Sequence, residues 1–476
     1  MDLQELKPER DQDVPIYLQL YRRYRDAIAA GRLKPGDRVP SVRSLASELN
    51  LARGTVELAY QMLASEGYVV ARGAAGTVVS PRLASLSGPG AARPAENLPV
   101  ASSRPDTLPG QIHPFQLGLP ALDVFPRKTW ARLAGHNVRR LDAAAMTYPH
   151  PAGHEPLRRA IAGYLGISRG IACSHEQVFV TGGYRGALDL ICRTVLQAGD
   201  LGWYEDPGYI LARRYLEFAG MRLAPVPVDG EGVDVARGIE LAGDARFAVV
   251  TPTHQSPMGM ALSLPRRLAM LDWANRRRAW IIEDDYDSEF RYHGRPLPAL
   301  KSLDAEGRVL YTGTFSKVLF PGLRLAYLVV PVSQVGAFEA ALQHIPGPGA
   351  VLPQATVADF IEQGHFSRHL RKMRSVYATR RGYLVDALAR MLGDRLHVQP
   401  QAGGIHVLAH LPPRQDDTVL AAAAAAAGLA VNALSDWRLC GSDAGGLLMG
   451  FANFATPAEA GEAVARLRAI IAPNVQ

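Results

Sequence analysis

Short apolar strands alternate with amphipathic stretches through the middle of the chain. The strand-like runs lie at about 177–181, 247–251, 280–283, 309–312 and 325–330. The amphipathic stretches between them include 184–198, 208–219 and 265–278. Continuous apolar strands separated by helices are typical of a parallel sheet covered by helices on both faces. Because ligands of such sheets bind beyond the carboxyl ends of the strands, the residues that follow each strand are the first candidates for a site.

A different pattern precedes this region. Residues 16–30 have helical periodicity, and Ser41 is placed to cap a second helix. Residues 55–65 form a third helix, which Gly67 would close. The next segment, YVVARGAAGTVVS, has the pattern of a strand, a glycine-rich tip and a second strand. Three helices followed by a hairpin predict a winged helix-turn-helix domain over residues 14–80.

A segment of turn-forming residues separates the two patterns. Residues 81–110 contain six Pro and three Gly and have no apolar periodicity. This composition predicts a Pro-, Ala- and Ser-rich linker, which we place at 81–112. It leaves an α/β domain over 113–476, with a large subdomain at about 150–345 and a small one at about 350–476.

Positive charge is concentrated in the N-terminal pattern. The chain of 476 residues has a formal net charge of +7. Residues 14–82 alone hold ten bases and five acids, a net charge of +5. A local excess of this kind indicates a polyanion partner, although a solvated basic face would give the same count.

Composition excludes several classes of protein. With 48% hydrophobic and 20% charged residues, the chain is unlike a disordered protein. No run approaches eighteen consecutive apolar residues, and the N-terminus is charged, so we expect a cytoplasmic protein without a membrane partner. Cys173, Cys192 and Cys440 match neither a disulfide framework nor a metal-binding spacing, so we expect reduced thiols and no metal.

Three strand ends carry residues that could bind a ligand. The glycine turn at residues 181–184 opens a helix whose amides could hold a phosphate, although most such turns bind nothing. The carboxylate cluster that begins at Asp284 could bind a metal, a cationic ring nitrogen or nothing. Lys317, one of only six lysines, follows the strand at 309–312. Desolvation there would favour the neutral amine, which can attack an aldehyde.

Together, these strand ends meet the requirements of pyridoxal 5'-phosphate (PLP). That cofactor needs a lysine for its aldehyde, a carboxylate for its pyridine nitrogen and a cup for its phosphate. Tyr209, which follows another strand, is the candidate for stacking on the ring. Each feature alone has an ordinary structural explanation, but all of them in this order make PLP the favoured interpretation.

Longer segments resemble known families. Residues 113–476 are similar to fold-type I aminotransferases through TYPHPAGHEPLRRAIAGYL, TPTHQSPMGMALSLPRR, IIEDDYDSEFRY, GTFSKVLFPGLRLAYLVVP and GHFSRHLRKMRSVYATRR. Residues 16–80 resemble the GntR winged-helix domain through GRLKPGDRVPSVRSLASELNLARGTVELAYQMLASEG. The fusion of the two is identified as a member of the MocR-type subfamily of GntR transcription regulators. The resemblance implies a mostly parallel sheet covered by helices, followed by a smaller C-terminal α+β subdomain.

The resemblance implies roles for individual residues of the cofactor site. Lys317 would form the internal aldimine, Asp284 would pair with the pyridine nitrogen, and Tyr286 would reach the phenolic oxygen of the ring. The phosphate would be held by residues at two strand ends, namely Gly183, Tyr184, Thr314, Ser316 and Arg324.

Two further residues complete the implied site. His254 lies in a loop where transaminases usually carry an Asn-Pro motif, and Tyr148 would contact the phosphate bound by the other subunit of a head-to-tail homodimer. The chain departs from the family pattern in having Arg185 in the phosphate turn. It also has no arginine just before residues 447–450, where amino-acid-binding members clamp a carboxylate, and the nearest arginine is Arg438.

In the winged helix, the resemblance implies DNA contacts on the recognition helix, on the helix before it and on the wing. The candidates are Ser41, Arg43, Arg53, Thr55, Arg72 and Gly73. Arg53 and Thr55 begin the recognition helix, whose first residues approach base edges. Arg43 would lie near phosphates, and Arg72 would enter a minor groove. For each arginine, a solvated surface position is an equal alternative, and the basic stretch 365–381 is interpreted as an exposed helix face rather than a second DNA site.

Three functions remain open at this point. The favoured one is a PLP-dependent transcription regulator whose aminotransferase-like domain senses a small molecule (an amine, an amino acid or PLP) and alters binding to double-stranded operator DNA. The second is an active aminotransferase with an appended DNA-binding domain. The third is a DNA-binding protein whose other domain is only a dimerisation scaffold. The absent carboxylate arginine argues against turnover, and the full set of cofactor residues argues against a scaffold.

Overall fold

The computed structural model describes most of the chain. The described residues are 7–9, 14–73, 76–82, 111–143, 145–292, 294, 297–345, 347–413, 415–441 and 445–471. The predicted linker at 81–112 lies outside them except at its two ends. The chain divides into two compact units, Met1–Ser103 and Arg104–Gln476, here called the N-terminal and the C-terminal unit.

The N-terminal unit holds three helices and a two-stranded antiparallel hairpin. They are α1 (Ile16–Ala29), α2 (Val42–Glu48), α3 (Arg53–Ser65), β1 (Val69–Ala71) and β2 (Thr77–Val79). The Ser41 hydroxyl accepts a hydrogen bond from the Ser44 amide at 3.1 Å and so caps α2. Gly67 follows α3 with a φ of 79°, which glycine adopts without strain. The predicted winged helix-turn-helix is therefore confirmed.

Eight strands form the central sheet of the C-terminal unit, in the order β3-β10-β9-β8-β7-β4-β5-β6. They are β3 (Val178–Thr181), β4 (Leu201–Asp206), β5 (Arg222–Asp229), β6 (Gly232–Val233), β7 (Phe247–Val250), β8 (Trp280–Asp285), β9 (Val309–Thr314) and β10 (Ala326–Val329). Five neighbouring strands, from β9 to β5, are mutually parallel. The predicted mostly parallel sheet is confirmed.

Two strands differ from the sequence expectation. The run predicted at 325–330 is present as β10, but it is antiparallel to both β3 and β9. Only residues 315–325 join it to β9, and a parallel return normally needs a crossover of about a dozen residues or more. Strand β5 was not predicted because Pro225 and Pro227 interrupt its pattern, and proline is tolerated only near sheet edges.

Helices cover both faces of this sheet. They are α6 (Tyr184–Val195), α7 (Ile210–Phe218), α8 (Val235–Ala242), α9 (Leu264–Arg277) and α10 (Val335–Ala341). Alternate residues of a strand point to opposite faces. In β7, Phe247 and Val249 pack in the core beneath α6 and α7, whereas Ala248 and Val250 pack beneath α8 and α9. Because helices cover both faces of the sheet, the carboxyl ends of its parallel strands are left as the place where a ligand can bind.

A second, antiparallel sheet in the order β11-β12-β14-β13 forms the smaller subdomain. Its strands are β11 (His397–Val398), β12 (His406–His410), β13 (Asn432–Ala433) and β14 (Gly446–Gly450). The remaining helices are α4 (Arg127–Arg139), α5 (Glu155–Arg169), α11 (Val351–Glu362), α12 (His365–Leu392), α13 (Asp417–Ala426) and α14 (Pro457–Ile471). The predicted α+β subdomain is confirmed.

Candidate cofactor site and DNA-contact residues

Lys317 lies in the turn that joins β9 to β10, beyond the carboxyl end of β9. Its Nζ donates a hydrogen bond to the carbonyl oxygen of Gly118 at 2.8 Å. A Cβ at position 118 would lie 2.4 Å from that Nζ, so the close approach requires glycine. Burial lowers the pKa of Lys317 to about 8, while Asp287 and Asp284 act in the opposite direction. A larger fraction of this amine is therefore neutral, and nucleophilic, than of an ordinary lysine.

Asp284 stands near the end of β8, next to β9 in the sheet, and only 6% of it is exposed. It forms no ion pair with any residue of the described part of the chain. Burial raises the pKa of Asp284 to about 8; the Tyr184 phenol lowers it, and the carboxylates of Asp285, Glu205 and Asp287 raise it further. A buried carboxyl without a cation is costly, and a protonated ring nitrogen would remove that cost.

His254 connects Tyr286 to a second buried carboxylate. Its Nδ1 lies 3.0 Å from the Tyr286 hydroxyl and 3.1 Å from Oδ1 of Asp287. His254 Nε2 and Asp287 Oδ2 are buried and have no hydrogen-bond partner among the described residues. Burial, followed by the charge of Asp287, raises the pKa of Tyr286 well above its usual value, so the phenol stays protonated. Unpartnered buried polar atoms of this kind indicate space for polar groups of a ligand.

The glycine turn after β3 and the turn after β9 form a cradle for an anion. Gly183 precedes the first residue of α6 and has a φ of 94°. The Arg324 guanidinium lies against it, since a Cβ at position 183 would be 3.3 Å from Arg324 Cζ. Arg324 also donates to the Gly182 carbonyl at 3.2 Å. A guanidinium beside a helix N-terminus favours a phosphate. The amide of Gly183, however, donates to the Thr181 carbonyl at 2.8 Å and is not free as expected, so the helix amides available to an anion begin at Tyr184.

The other predicted members of the cradle lie at the end of β9. Thr314 is its last residue, and the Thr314 hydroxyl accepts a hydrogen bond from the Ser316 amide at 3.2 Å. Tyr184 contributes the first residue of α6, while its buried phenol has no geometrically regular hydrogen bond and lies near Asp284. The Tyr184 side chain therefore belongs to the ring end of the site, which the sequence did not indicate.

An aromatic wall stands beside these groups. Tyr209 precedes α7, and its ring centre lies 6.2 Å from that of Tyr184 and 5.8 Å from that of Trp437. Burial raises the pKa of Tyr209 to about 12; Asp284 raises it too, while Arg185 and Arg324 lower it. The predicted stacking residue is thus close to both the ring end and the phosphate end.

Tyr148 and the residue that follows His254 do not contribute to the buried cluster. Tyr148 is fully exposed in the single chain. Gln255, next to His254, is buried, and its Nε2 donates to Glu205 at 3.1 Å and to the Pro207 carbonyl at 2.9 Å. Gln255 therefore fixes the loop, whereas His254 faces the site.

The opposite side of the same acidic segment has a structural role. Arg169 Nε bonds Asp285 Oδ2 at 2.9 Å, and its Nη2 lies 2.9 Å from Glu289 Oε1. The phenols of Tyr311 and Tyr164 donate to Asp285 and Glu289 at 2.6 and 2.9 Å. In the run IIEDDYDSEF, Arg169 therefore compensates Asp285 and Glu289, and the backbone amides of Leu300 and Lys301 donate to Glu283 at 2.7 Å. Asp284 and Asp287 face the site and pair with no arginine among the described residues, and the contact of Asp287 is with His254. Spacing alone did not indicate the part played by Asp287.

The positions of Arg185 and Arg438 bear on the ligand. Arg185 is exposed at the start of α6, and its charge lowers the pKa of Tyr209. Arg438 directly follows Trp437, and its Nε is buried without a hydrogen-bond partner among the described residues. Its backbone carbonyl accepts a hydrogen bond from Arg213 at 2.7 Å. Position 447 is a buried leucine, so β14 offers no guanidinium for a substrate carboxylate.

The predicted DNA-contact residues occupy the ends of elements in the N-terminal unit. Arg53 is the exposed first residue of α3, Thr55 is half-buried two positions after it, and Arg43 is exposed in the first turn of α2. Arg72 and Gly73 are exposed at the hairpin tip, where the Arg72 amide donates to Gly76 O at 2.8 Å. Ser41 uses its hydroxyl oxygen to cap α2, as described above. The guanidinium of Arg38, a residue that the sequence did not indicate, lies against Gly76 of the wing.

No helix in the described part of the chain combines the length and the apolar character needed to cross a membrane.

Family comparison finds two matches. Residues 16–79 match "Bacterial regulatory proteins, gntR family", and residues 128–442 match "Aminotransferase class I and II". The fold and the site therefore define a class: an aminotransferase-like domain joined to a winged-helix regulator domain.

Individual relatives narrow the class. The chain is 38% identical over 454 residues to a probable rhizopine catabolism regulatory protein, MocR, of Rhizobium meliloti, covering 94% of this chain and 92% of that one. It is 35% identical over 450 residues to the pyridoxine biosynthesis transcriptional regulator PdxR of Corynebacterium glutamicum, covering 94% of both. Thermus thermophilus α-aminoadipate aminotransferase, solved with N-(5'-phosphopyridoxyl)-L-leucine, is 29% identical with a TM-score of 0.68, covering 75% of this chain and 92% of that one. The chain belongs to the MocR-type subfamily of GntR transcription regulators, and the predicted family is confirmed.

Proposed function

We propose that this regulator binds PLP through Lys317, senses a small amine, amino acid or PLP itself in its C-terminal unit, and thereby changes its affinity for operator DNA in the cytoplasm. The observation that carries the cofactor assignment is Asp284, a buried carboxyl with no cation partner among the described residues and a pKa raised to about 8. A protonated pyridine nitrogen is the cation that this position lacks. The solved relative with a phosphopyridoxyl ligand supports the same assignment.

The residues present fit PLP at each of its polar groups. Lys317 offers an amine whose pKa burial has lowered, and its one hydrogen bond to the described part of the chain is to a backbone carbonyl. Asp284 would meet the ring nitrogen, and Tyr286, which lies 3.0 Å from His254, would meet the phenolic oxygen. The cradle of Gly183, Tyr184, Thr314, Ser316 and Arg324 is the only part of this set with the amides and guanidinium suited to a phosphate among the residues described.

When bound, PLP supplies an electron-withdrawing ring that stabilises negative charge developing on an attached amine. The chain's own residues prepare that chemistry. Asp284, once ionised, holds a proton on the ring nitrogen, and Tyr286 keeps its proton to donate a hydrogen bond to the phenolic oxygen. His254, aligned by Asp287 through Nδ1, has Nε2 left to contact ring or ligand. Tyr209 and Trp437 exclude water from one side.

Cofactor attachment is tested by trapping. Full-length protein incubated with PLP and reduced with borohydride should keep a covalent pyridoxyl group on Lys317, identified by peptide mass. Lys317→Ala should lose the label, whereas Lys34→Ala is the control, because Lys34 is an exposed lysine of the N-terminal unit. A label that persists in a folded Lys317→Ala protein would refute the assignment.

A second candidate function is an active aminotransferase. The leucine at position 447 and the absence of a guanidinium on β14 argue against efficient binding of an α-carboxylate. We therefore expect that added amino acids do not change the PLP absorbance of the protein, because the bound PLP is not converted to pyridoxamine phosphate. Stoichiometric conversion by any common amino acid, followed by recovery with a keto acid, would favour the enzyme over the sensor.

We also propose a site shared between the subunits of a head-to-tail homodimer, and the exposure of Tyr148 supports this proposal. The phosphate cradle contains residues of one chain, and Tyr148 is available to the cradle of another. Tyr148→Phe should weaken PLP retention by several-fold in homodimers. In mixed dimers with Lys317→Ala, the loss should follow the subunit opposite the mutated tyrosine. If a PLP-saturated protein is monomeric by light scattering at micromolar concentration, the shared site is wrong.

A further inference from the structure

A cavity of about 600 Å³ opens between the first turns of α4 and α12 in the C-terminal unit. Its volume lies in the range of pockets that hold small organic ligands. None of its lining residues belongs to the cofactor site described above. We call it the basic cavity, because Arg127, Lys128, Arg368 and Lys372 line it.

The charge of the basic cavity is not compensated within the described chain. None of its four cations forms an ion pair with a described residue, and two of them are among the six lysines of the whole sequence. The one acid in the lining, Asp123, is engaged by Arg380 at 2.6 and 3.0 Å. That pairing lowers the pKa of Asp123 and leaves its charge neutralised. The cavity therefore presents a net positive surface to whatever enters it.

The inner wall is aromatic and almost free of charge. Phe125 and Phe360 line it, and each packs against the ring of His369 at centroid distances of 5.8 and 6.2 Å. Only 7% of His369 is exposed. Its Nε2 lies 2.9 Å from the Val318 carbonyl, an acceptor only, so this nitrogen carries the proton and Nδ1 is left as an acceptor. Burial, assisted by the charge of Lys372, lowers the pKa of His369 and keeps the ring neutral.

We propose that the basic cavity binds a small organic anion that joins a flat apolar group to a phosphate or carboxylate, at a site separate from the cofactor. The aromatic wall would take the apolar group, and the cations at the mouth would take the charge. A cavity of this volume with an aromatic wall suits a small molecule better than a DNA backbone, which has no flat apolar group to fill it. The site touches the cofactor turn, because Val318 directly follows Lys317.

The test uses PLP-loaded full-length protein, so that the phosphate cradle is already filled. Phenyl phosphate is the probe, and inorganic phosphate and phenol are its two halves. By calorimetry, we expect saturable binding of phenyl phosphate about tenfold tighter than that of either half. The double variant Lys128→Gln/Lys372→Gln should weaken it by about tenfold or more. Both lysines are exposed, so these changes should leave the fold intact.

The matched control is Arg139→Gln/Arg371→Gln, which removes the same charge from exposed positions of the same two helices outside the lining. It should leave phenyl phosphate binding unchanged. Equal losses in both double variants, or no saturable binding at millimolar probe, would overturn the proposal. Weaker DNA binding by the lysine variant without any probe binding would assign the surface to nucleic acid and also overturn it. The PLP absorbance reports cofactor attachment independently, so failure here leaves the proposed function standing.

Discussion

The two units of the chain use charge in opposite ways. In the C-terminal unit, Asp284, Asp287 and Lys317 are withdrawn from water, and burial moves the pKa values of Asp284 and Lys317 towards each other, both to about 8. In the N-terminal unit, Arg43 and Arg53 are exposed at the starts of their helices. Charges in a low-dielectric interior interact strongly, whereas exposed ones are screened. Substitutions of these residues in the C-terminal unit should therefore alter folding and pKa values. Substitutions of the exposed arginines in the N-terminal unit should alter only DNA binding.

The largest effect is expected where a buried cation compensates two carboxylates. Arg169→Met would leave Asp285 and Glu289 buried without their partner, which costs about 3–5 kcal/mol in comparable pairs. All five tryptophans lie in the C-terminal unit, so urea unfolding followed by their fluorescence reports this unit alone. Arg159→Met, which breaks an exposed pair with Glu155, is the control and should change the unfolding free energy little. Similar losses in the two variants would remove the contrast between buried and exposed charge.

The second prediction concerns pH. In the cofactor-free protein the pKa of Asp284 is about 8, above the unfolded value of about 3.9, so the folded state binds the extra proton and loses stability as pH rises between these values. The stability of Asp284→Asn relative to the parent should therefore be greater at pH 8 than at pH 5. This change in the difference between the two unfolding free energies should be about 2–4 kcal/mol. Burial raises the pKa values of Glu205 and Glu283 to about 7. Both groups titrate in the parent and in the variant, so their contributions to the difference in stability cancel.

The same variant should bind PLP more weakly, by about tenfold or more, because the carboxamide cannot hold a proton on the ring nitrogen. Stability and affinity thus change in opposite directions, which a generally damaged protein would not show. Fluorescence unfolding across pH and PLP titration provide the two measurements. A stability difference independent of pH would mean that Asp284 is compensated by a group other than the cofactor.

The smallest effects are expected in the winged helix. Arg53→Ala should cost about 1–3 kcal/mol on a cognate duplex selected from random sequence, with little change on scrambled DNA. Arg43→Ala should weaken binding to both duplexes alike and reduce the dependence on salt, as loss of a phosphate contact does. Affinities of both variants across a salt series distinguish the two roles. Equal, sequence-independent losses would refute base readout by Arg53.

Much of the fold followed from the sequence because local patterns there agree with the tertiary structure. Ser41 and Gly67 mark real helix boundaries, and the apolar runs are real strands. The direction of β10 did not follow, since an apolar run has the same pattern in either direction and only the length of the connection decides it. The prolines of β5 concealed a strand at the side of the sheet.

The site was predictable as a set of residue types but not as a set of contacts. Lys317 follows a strand and Asp284 lies near the end of one, and both could be chosen for that reason. Asp287 and Gly118 could not, because each acts through residues distant in sequence, His254 and Lys317. Which carboxylate of the acidic run meets Arg169 depends on the packing of α5, about which the run itself carries no information.

The hydrogen bond between Lys317 and Gly118 ties the reactive amine to the beginning of its own domain. Gly118 comes six residues after residue 112, where the predicted linker to the winged helix ends. A free ammonium has three protons to share, whereas a lysine nitrogen joined to an aldehyde carbon has at most one. The carbonyl of Gly118 therefore gains or loses a donor with each change in the covalent state of Lys317. The hydrogen bonding of the backbone near the linker thus depends on what is attached to Lys317.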